Sequence, residues 1–420
     1  MKNFVKVEGK EFFETATGKK YVPVGVNWFA RGSGWAPQIW KLFDEKWFER
    51  DFSRIKALGM NTIRVFLGIN GLMGEEMCVN EKELEKCIKL LDYAKEYGLR
   101  VIYSGPNAWE GIPIWMKELV QNGGYFENER FLKSLEHFYH VAGEAFGEHE
   151  GFFGYDLFNE PMIRFSPDYD GLSIEKFHEK RQKISYDFTK LCVDAIRKHD
   201  KAHLISVGSH QWTVPFCGQH PSHYFCFDPH AIGELVDYVS LHWYPYLDKD
   251  IVEGDRETFE YNAAFLHGAM QYMDVGKPVV LEEFGLYGGG PAHLGTRQYA
   301  PLSQKTQADW VIDVAMKRGS KFCDGWLNWG FDDYEDQGDP TRYQGFYDDD
   351  MNEKEITKRF SKGLADTLEL LNKRGKVEKN MTLDVDVYKV TSDGKTMMEL
   401  RDTVIEAVQS GKIIDFNVKM

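Results

Sequence analysis

Gly151-Phe-Phe-Gly-Tyr-Asp-Leu-Phe-Asn-Glu-Pro161 is the stretch from which the rest of the chain can be read. Its aromatic, apolar run suits a buried strand, and Pro161 cannot continue the strand's hydrogen-bond ladder. Asn159 and Glu160 therefore stand at the carboxyl end of a strand, an amide beside a carboxylate. A second run, Lys277-Pro-Val-Val-Leu-Glu-Glu-Phe-Gly285, ends in the same way. In an α/β barrel the carboxyl ends of the strands are where catalytic groups sit.

Outward from this stretch, strand-like and amphipathic helical segments alternate eight times. The other strands are expected at Tyr21–Trp28, Asn61–Phe66, Arg100–Tyr103, His203–Val207, Tyr238–Pro245, Pro278–Phe284 and Gly325–Trp329. Between them fall helical patterns such as Asp44–Leu58, stopped by Gly59, and a segment with Leu84, Ile88 and Leu91 on one face. Such alternation predicts an α/β fold, a (β/α)8 TIM barrel, over residues 1–375. Residues 376–420 pattern as strand, Ser-Asp-Gly turn, helix and strand. They are too few to form a domain alone, and are expected to pack on the barrel or at a subunit contact, as in a homo-oligomer. The Gly- and Pro-rich segment Leu286–Leu302 follows a site strand and is expected to wall or cover the site.

The 420 residues carry a net charge of −15, which argues against nucleic acid or an anionic membrane as partner. No apolar run reaches membrane-spanning length, and the first residues lack a signal-peptide core. The six cysteines are scattered without a CxxC pair, unlike a disulfide framework or zinc site. The expectation is a cytoplasmic enzyme with reduced thiols. Asp348-Asp-Asp350 lacks the ligand spacing of a calcium loop, so neither metal nor cofactor is expected.

Two strand-end carboxylates from different parts of one barrel are what glycosidic cleavage requires. Glu160 and Glu283 are that pair; Glu282 is the alternative to Glu283. Successive strand residues face opposite ways, so only one of the two is expected to point into the site. Five tryptophans, Trp28, Trp109, Trp212, Trp243 and Trp329, fall at predicted strand ends, where an indole could stack on a sugar's C–H face.

With these motifs the chain resembles glycoside hydrolase family 5, retaining β-glycosidases, over about residues 4 to 365. The resemblance implies that Glu160 of Asn-Glu-Pro is the general acid/base and Glu283 of Glu-Phe-Gly the nucleophile. It also implies that Arg64 supports the nucleophile, that Asn159 bonds the sugar 2-hydroxyl, and that His242 and Tyr244 form a strand-six pair in which Tyr244 orients Glu283. Trp329 would floor the reacting sugar, with Trp326 as the alternative. Many members place a histidine after strand three. This chain has Ser104-Gly-Pro-Asn107 and then Trp109, which, with His-Trp-Tyr-Pro and Glu-Glu-Phe-Gly, is more similar to the mannan-acting branch. The expected substrate is a short β-mannoside cut by an exo-acting β-mannosidase. The alternatives are an endo-β-1,4-mannanase, then a β-glucosidase or endoglucanase, and last a sugar-binding barrel without activity.

Overall fold

The computed structural model describes residues 2–33, 36–107, 109, 112–119, 125–163, 171–245, 249–290, 293–294, 297–298, 302–334 and 340–420. Eight parallel strands form its centre: β1 (Val24–Asn27), β2 (Thr62–Phe66), β3 (Arg100–Ser104), β4 (Phe152–Asn159), β5 (Leu204–Gly208), β6 (Val239–Trp243), β7 (Val279–Phe284) and β8 (Gly325–Trp329). Each pairs with the next in chain order except β5 with β6, and β8 pairs with β1. Between β5 and β6 the ring is joined by Asp237 N–H to Ile205 O and His242 N–H to Ser209 O, both 2.8 Å. The result is the (β/α)8 barrel.

Local sequence explains the connecting helices. Helix Glu45–Ala57 starts where the Asp44 side chain accepts from the Lys46 N–H, and Glu81–Glu96 where Asn80 accepts from Lys82 and Glu83. Asn128 caps Glu129–Phe146 and Ser173 caps Ile174–Arg197 in the same manner. Each cap satisfies N–H groups that the first helical turn leaves unpaired. The apolar faces of these helices, including Phe48, Phe52, Leu90, Leu91, Leu135 and Phe138, are buried against the strands.

Inside the ring, side chains change character with height. At the amino end Ile102, Phe153, Leu204, Tyr238, Val280 and Leu327 form an apolar floor. A hairpin of Val5–Glu8 and Glu11–Glu14 closes it from below, placing Phe12 5.7 Å from the rings of both Phe153 and Tyr238. Above the floor the interior becomes polar, with Arg64, Ser104, Asp156, Ser206 and Glu282 all buried. This polar layer lies beneath the carboxyl ends of the strands.

The tail contains strand Met381–Asp386, helices Val387–Ser392 and Gly394–Gln409, and strand Ile414–Lys419. Its two strands pair in parallel, which the intervening helices make possible. The tail helix lies on helix Arg256–Tyr272; Arg401 donates to the Phe216 carbonyl and the Ile414 N–H to Gln271 Oε1. The short helix before Asp393 was not expected, since Val387-Tyr-Lys-Val-Thr is β-prone locally; Asp386 caps it by accepting from the Lys389 N–H. Among the described residues no helix is long and apolar enough to cross a membrane. Much of the expected Leu286–Leu302 wall lies outside the described residues.

Candidate active site

Glu160 follows the last residue of β4, where its N–H donates to the Gly208 carbonyl at 2.8 Å. Its backbone is left-handed, φ 52°. For a non-glycine residue this costs on the order of 1 kcal/mol, and it turns the carboxyl out of the strand's alternation and over the barrel mouth. Oε1 receives the His242 Nδ1 contact at 2.9 Å, and Oε2 accepts the Trp109 indole N–H.

Glu283 faces it from β7. Arg64 Nη1 donates to its Oε1 at 2.6 Å and the Tyr244 hydroxyl to its Oε2 at 2.9 Å. One carboxyl oxygen of Glu160, one of Glu283 and Nδ1 of His242 all lie within 4.8 Å of one another. Retaining pairs hold their carboxyl groups roughly 5–5.5 Å apart and inverting pairs roughly 6.5–9.5 Å, to leave room for a water; the close approach of the two oxygens here is on the retaining side of that division. The same three donors are the one group among the described residues that could ligate a metal ion.

Arg64 organises the layer beneath. Besides Glu283 it donates to Asn27 Oδ1 at 2.8 Å, Asp156 Oδ2 at 2.6 Å, Asn159 Oδ1 at 2.8 Å and Ser104 Oγ at 3.1 Å. Burial alone would weaken the guanidinium's hold on its proton, but Asp156, Glu283 and Glu282 outweigh it and the pKa rises. Asn159 in turn donates to Asn107 Oδ1 at 3.0 Å, the same oxygen that accepts the Trp109 backbone N–H.

The electrostatics of the pair follow from this packing. Burial raises the Glu283 carboxyl; His242 and Arg64 oppose the rise and the Glu160 charge adds to it. His242 is pushed down to about 4, first by burial, with Glu283 opposing and Arg64 assisting, so its imidazole is neutral at pH 7.

The alternation that was to turn one of Glu282 and Glu283 away does not hold. Along β7 the register on β6 passes from Leu281 opposite Leu241 to Glu283 opposite His242, leaving Glu282 as an extra residue. A bulge of this kind re-aims the side chains around it. Glu282 is buried inside the barrel with Glu283, accepting from the Tyr238 hydroxyl and from Ser206 Oγ at 3.3 Å, its Oε2 3.9 Å from Arg64 Nε. Burial first, then Asp156, pushes it up to about 7 against Arg64 and Tyr238.

The tryptophans separate by strand parity. Trp28 is a correction: it points outward, its N–H on Asp51 at 3.0 Å and its ring on Phe48 and Phe52. Trp243 is another, buried against Phe265. Each follows a residue that faces inward, Asn27 or His242, and so faces the helices instead. Trp326 likewise points outward, donating to the Ala315 carbonyl, so it is no alternative to Trp329. Trp329 is on the inward phase with Leu327, packed on Phe29 and Phe66, its N–H on the Tyr334 hydroxyl at 3.0 Å. Trp212 is half-buried with one face stacked on His223 at 4.3 Å. Trp109 is 50% exposed at the mouth.

Asp156, Asn27 and Ser104 were not singled out in the sequence, yet each holds Arg64. Asp156 carried a signal: a lone acid within the aromatic run Phe152–Phe158 of a buried strand must have a partner inside the protein.

An eight-stranded parallel barrel that brings two carboxyls face to face at its carboxyl rim has the architecture of a glycoside hydrolase. Residues 18–333 match the family model described as Cellulase (glycosyl hydrolase family 5), and the chain belongs to glycoside hydrolase family 5. No curated sequence matches it. Among solved structures, the exo-beta-1,4-mannosidase Op5Man5 from Opitutaceae bacterium strain TAV5 is similar at 17% identity and TM-score 0.72, covering 98% of this chain and 72% of that one. A variant of GH5_18 from Streptomyces cattleya, in complex with Manb1-4GlcNAc, is similar at 17% identity and TM-score 0.72, covering 95% and 94%. GH5_18 from Bifidobacterium longum subsp. longum is similar at 16% identity and TM-score 0.70, covering 94% and 92%. At such identities the likeness is one of fold.

Proposed function

We propose that this chain cleaves β-mannosidic bonds at the non-reducing end of short oligosaccharides by double displacement with retention. The observation that carries the mechanism is the approach of a Glu160 oxygen and a Glu283 oxygen to within 4.8 Å. Ionised Glu283 attacks the anomeric carbon as the bond to the leaving sugar breaks, and the Glu160 proton passes to the departing oxygen. Arg64 and Tyr244 hold the nucleophile's two oxygens so that one lone pair is aimed at the sugar. Esterification removes the Glu283 charge. Glu160, now ionised, takes a proton from a water that attacks the same carbon, and the ester bond breaks to restore the site. Asn159 bonds the 2-hydroxyl, whose axial position distinguishes mannose from glucose; its hydrogen bonds to Arg64 and Asn107 support this role.

Mannose is favoured by the Asn107–Trp109 sequence after β3, and by two structural neighbours, one an exo-beta-1,4-mannosidase and one in complex with Manb1-4GlcNAc. The test is a panel of nitrophenyl glycosides and mannooligosaccharides with product sizes read out. Mannose released singly from one end is the expected result; shortening of long mannan before free mannose accumulates would make the enzyme an endo-mannanase, and a preference for the β-glucoside would overturn the mannose assignment. Glu160→Gln should slow cleavage of an oligosaccharide by about 10²–10⁴-fold, the scale of general acid catalysis. Its first step should be largely spared with a dinitrophenyl leaving group, which needs no proton.

A further inference from the structure

The two oxygens of Glu160 have different surroundings. Oε1 faces inward, to His242 Nδ1 at 2.9 Å, with Glu283 beyond it. Oε2 faces the mouth, where its partner is the indole N–H of Trp109. Among the described residues, the charged and titratable groups set around the carboxyl are His242 on β6, Glu283 on β7 with Tyr244 bonded to it, and Arg64 on β2, which reaches it through Glu283 and Asn159. None of these occupies Oε2.

Trp109 has the properties of a movable partner. Its side chain is 50% exposed, whereas Glu160 is 5% exposed. Its backbone is held by a 3.0 Å bond to Asn107 Oδ1, independently of the indole. Its N–H bonds the Glu160 oxygen that His242 does not contact.

We propose that Trp109 is a positioning residue that alternates between two partners within one turnover. In the empty site its N–H holds Glu160 Oε2 in the unprotonated form. The leaving-group sugar, on entering, takes the indole onto its C–H face and frees that oxygen to hold the proton it will donate. When the leaving sugar departs, the N–H returns to Oε2 and supports the ionised carboxyl as it accepts a proton from water. This proposal rests on the assignment of Glu160 as acid/base and adds what sets its protonation through the cycle.

Two measurements test it. In the protein labelled with 15N-indole tryptophan, the Trp109 N–H resonance, assigned by its loss in Trp109→Phe, should shift with pH in the empty site and cease to shift in Glu160→Gln. A resonance that ignores pH, or titrates equally in Glu160→Gln, overturns the proposal. In Trp109→Phe, which keeps an aromatic face and loses the N–H, the basic limb of kcat/KM should move up by roughly one pH unit, the scale of one charge-assisted hydrogen bond to a carboxylate. The sign follows because losing a donor to the anion favours the protonated acid. A profile that drops at every pH without moving shows stacking alone and overturns the proposal. If the wild-type protein hydrolyses no β-glycoside, the functional assignment fails, whereas the resonance experiment still decides whether Trp109 reports on Glu160.

Discussion

The two ends of the barrel interior are built by opposite rules. At the floor, Phe12, Phe153, Leu204, Val280 and Leu327 fill the space with apolar side chains, the usual packing of such a barrel. Midway up, the same inward-facing positions hold a guanidinium and several carboxyls: Arg64 with Asp156, Glu282 and Glu283. The floor gains free energy by removing surface from water, whereas the layer above it loses hydration and recovers it only through paired charges and short bonds. Tyr238 spans the boundary, its ring packed on Phe12 and its hydroxyl on Glu282. Stability and chemistry are therefore stacked in one tube, and substitutions at the two heights should separate them.

The largest effect is expected at Arg64. Arg64→Met leaves Asp156 and Glu283 buried without their cation, a loss of about 3–5 kcal/mol of stability for a broken buried pair. Activity should be lost as well, because Glu283 no longer has its Nη1 donor; calorimetry beside kcat/KM measures both. Phe12→Ala should cost a comparable 3–5 kcal/mol in denaturant unfolding by opening a cavity in the floor, with kcat and KM of the folded fraction unchanged. If Phe12→Ala altered turnover as much as stability, the two layers would not be separable and Tyr238 would be the link.

The contrast also explains what could be read from the sequence. The eight strand–helix units were visible because short apolar runs alternate with segments whose apolar residues recur at helical spacing, such as Leu84, Ile88 and Leu91. Glu160 and Glu283 were visible because a carboxylate ends each apolar run, whereas Arg64, Asn159, His242 and Tyr244 were named through the family resemblance; the structure gathers these four around the two carboxyls. Trp28 and Trp243 were misread by position along the chain, although parity was available: each adjoins an inward-facing polar residue and so faces the helices. Glu282 was misread for a different reason. The rule of alternation is correct for a regular strand, and the bulge that suspends it depends on how β7 meets β6, a tertiary feature that no local pattern in Val-Val-Leu-Glu-Glu-Phe announces.

The smallest predicted effect isolates what the bulge adds. Glu282 is pushed up to about 7 in the folded protein, above the ordinary carboxyl value. For an acid whose pKa is higher folded than unfolded, the native state binds more protons between the two values, so stability is greatest below the unfolded pKa and falls as pH rises from there through about 7. Glu282→Gln keeps an acceptor for Tyr238 and Ser206 but cannot ionise. Thermal unfolding followed from pH 5 to pH 8 should show the wild type losing stability more steeply than the variant, with the two closest at the acid end. The difference should reach about 1–2 kcal/mol at pH 8, less than the full shift implies because Asp156 and Arg64 readjust when Glu282 changes charge. Parallel curves would mean that Arg64 Nε already compensates an ionised Glu282 across 3.9 Å, and the upper layer would then hold three carboxylates on one guanidinium.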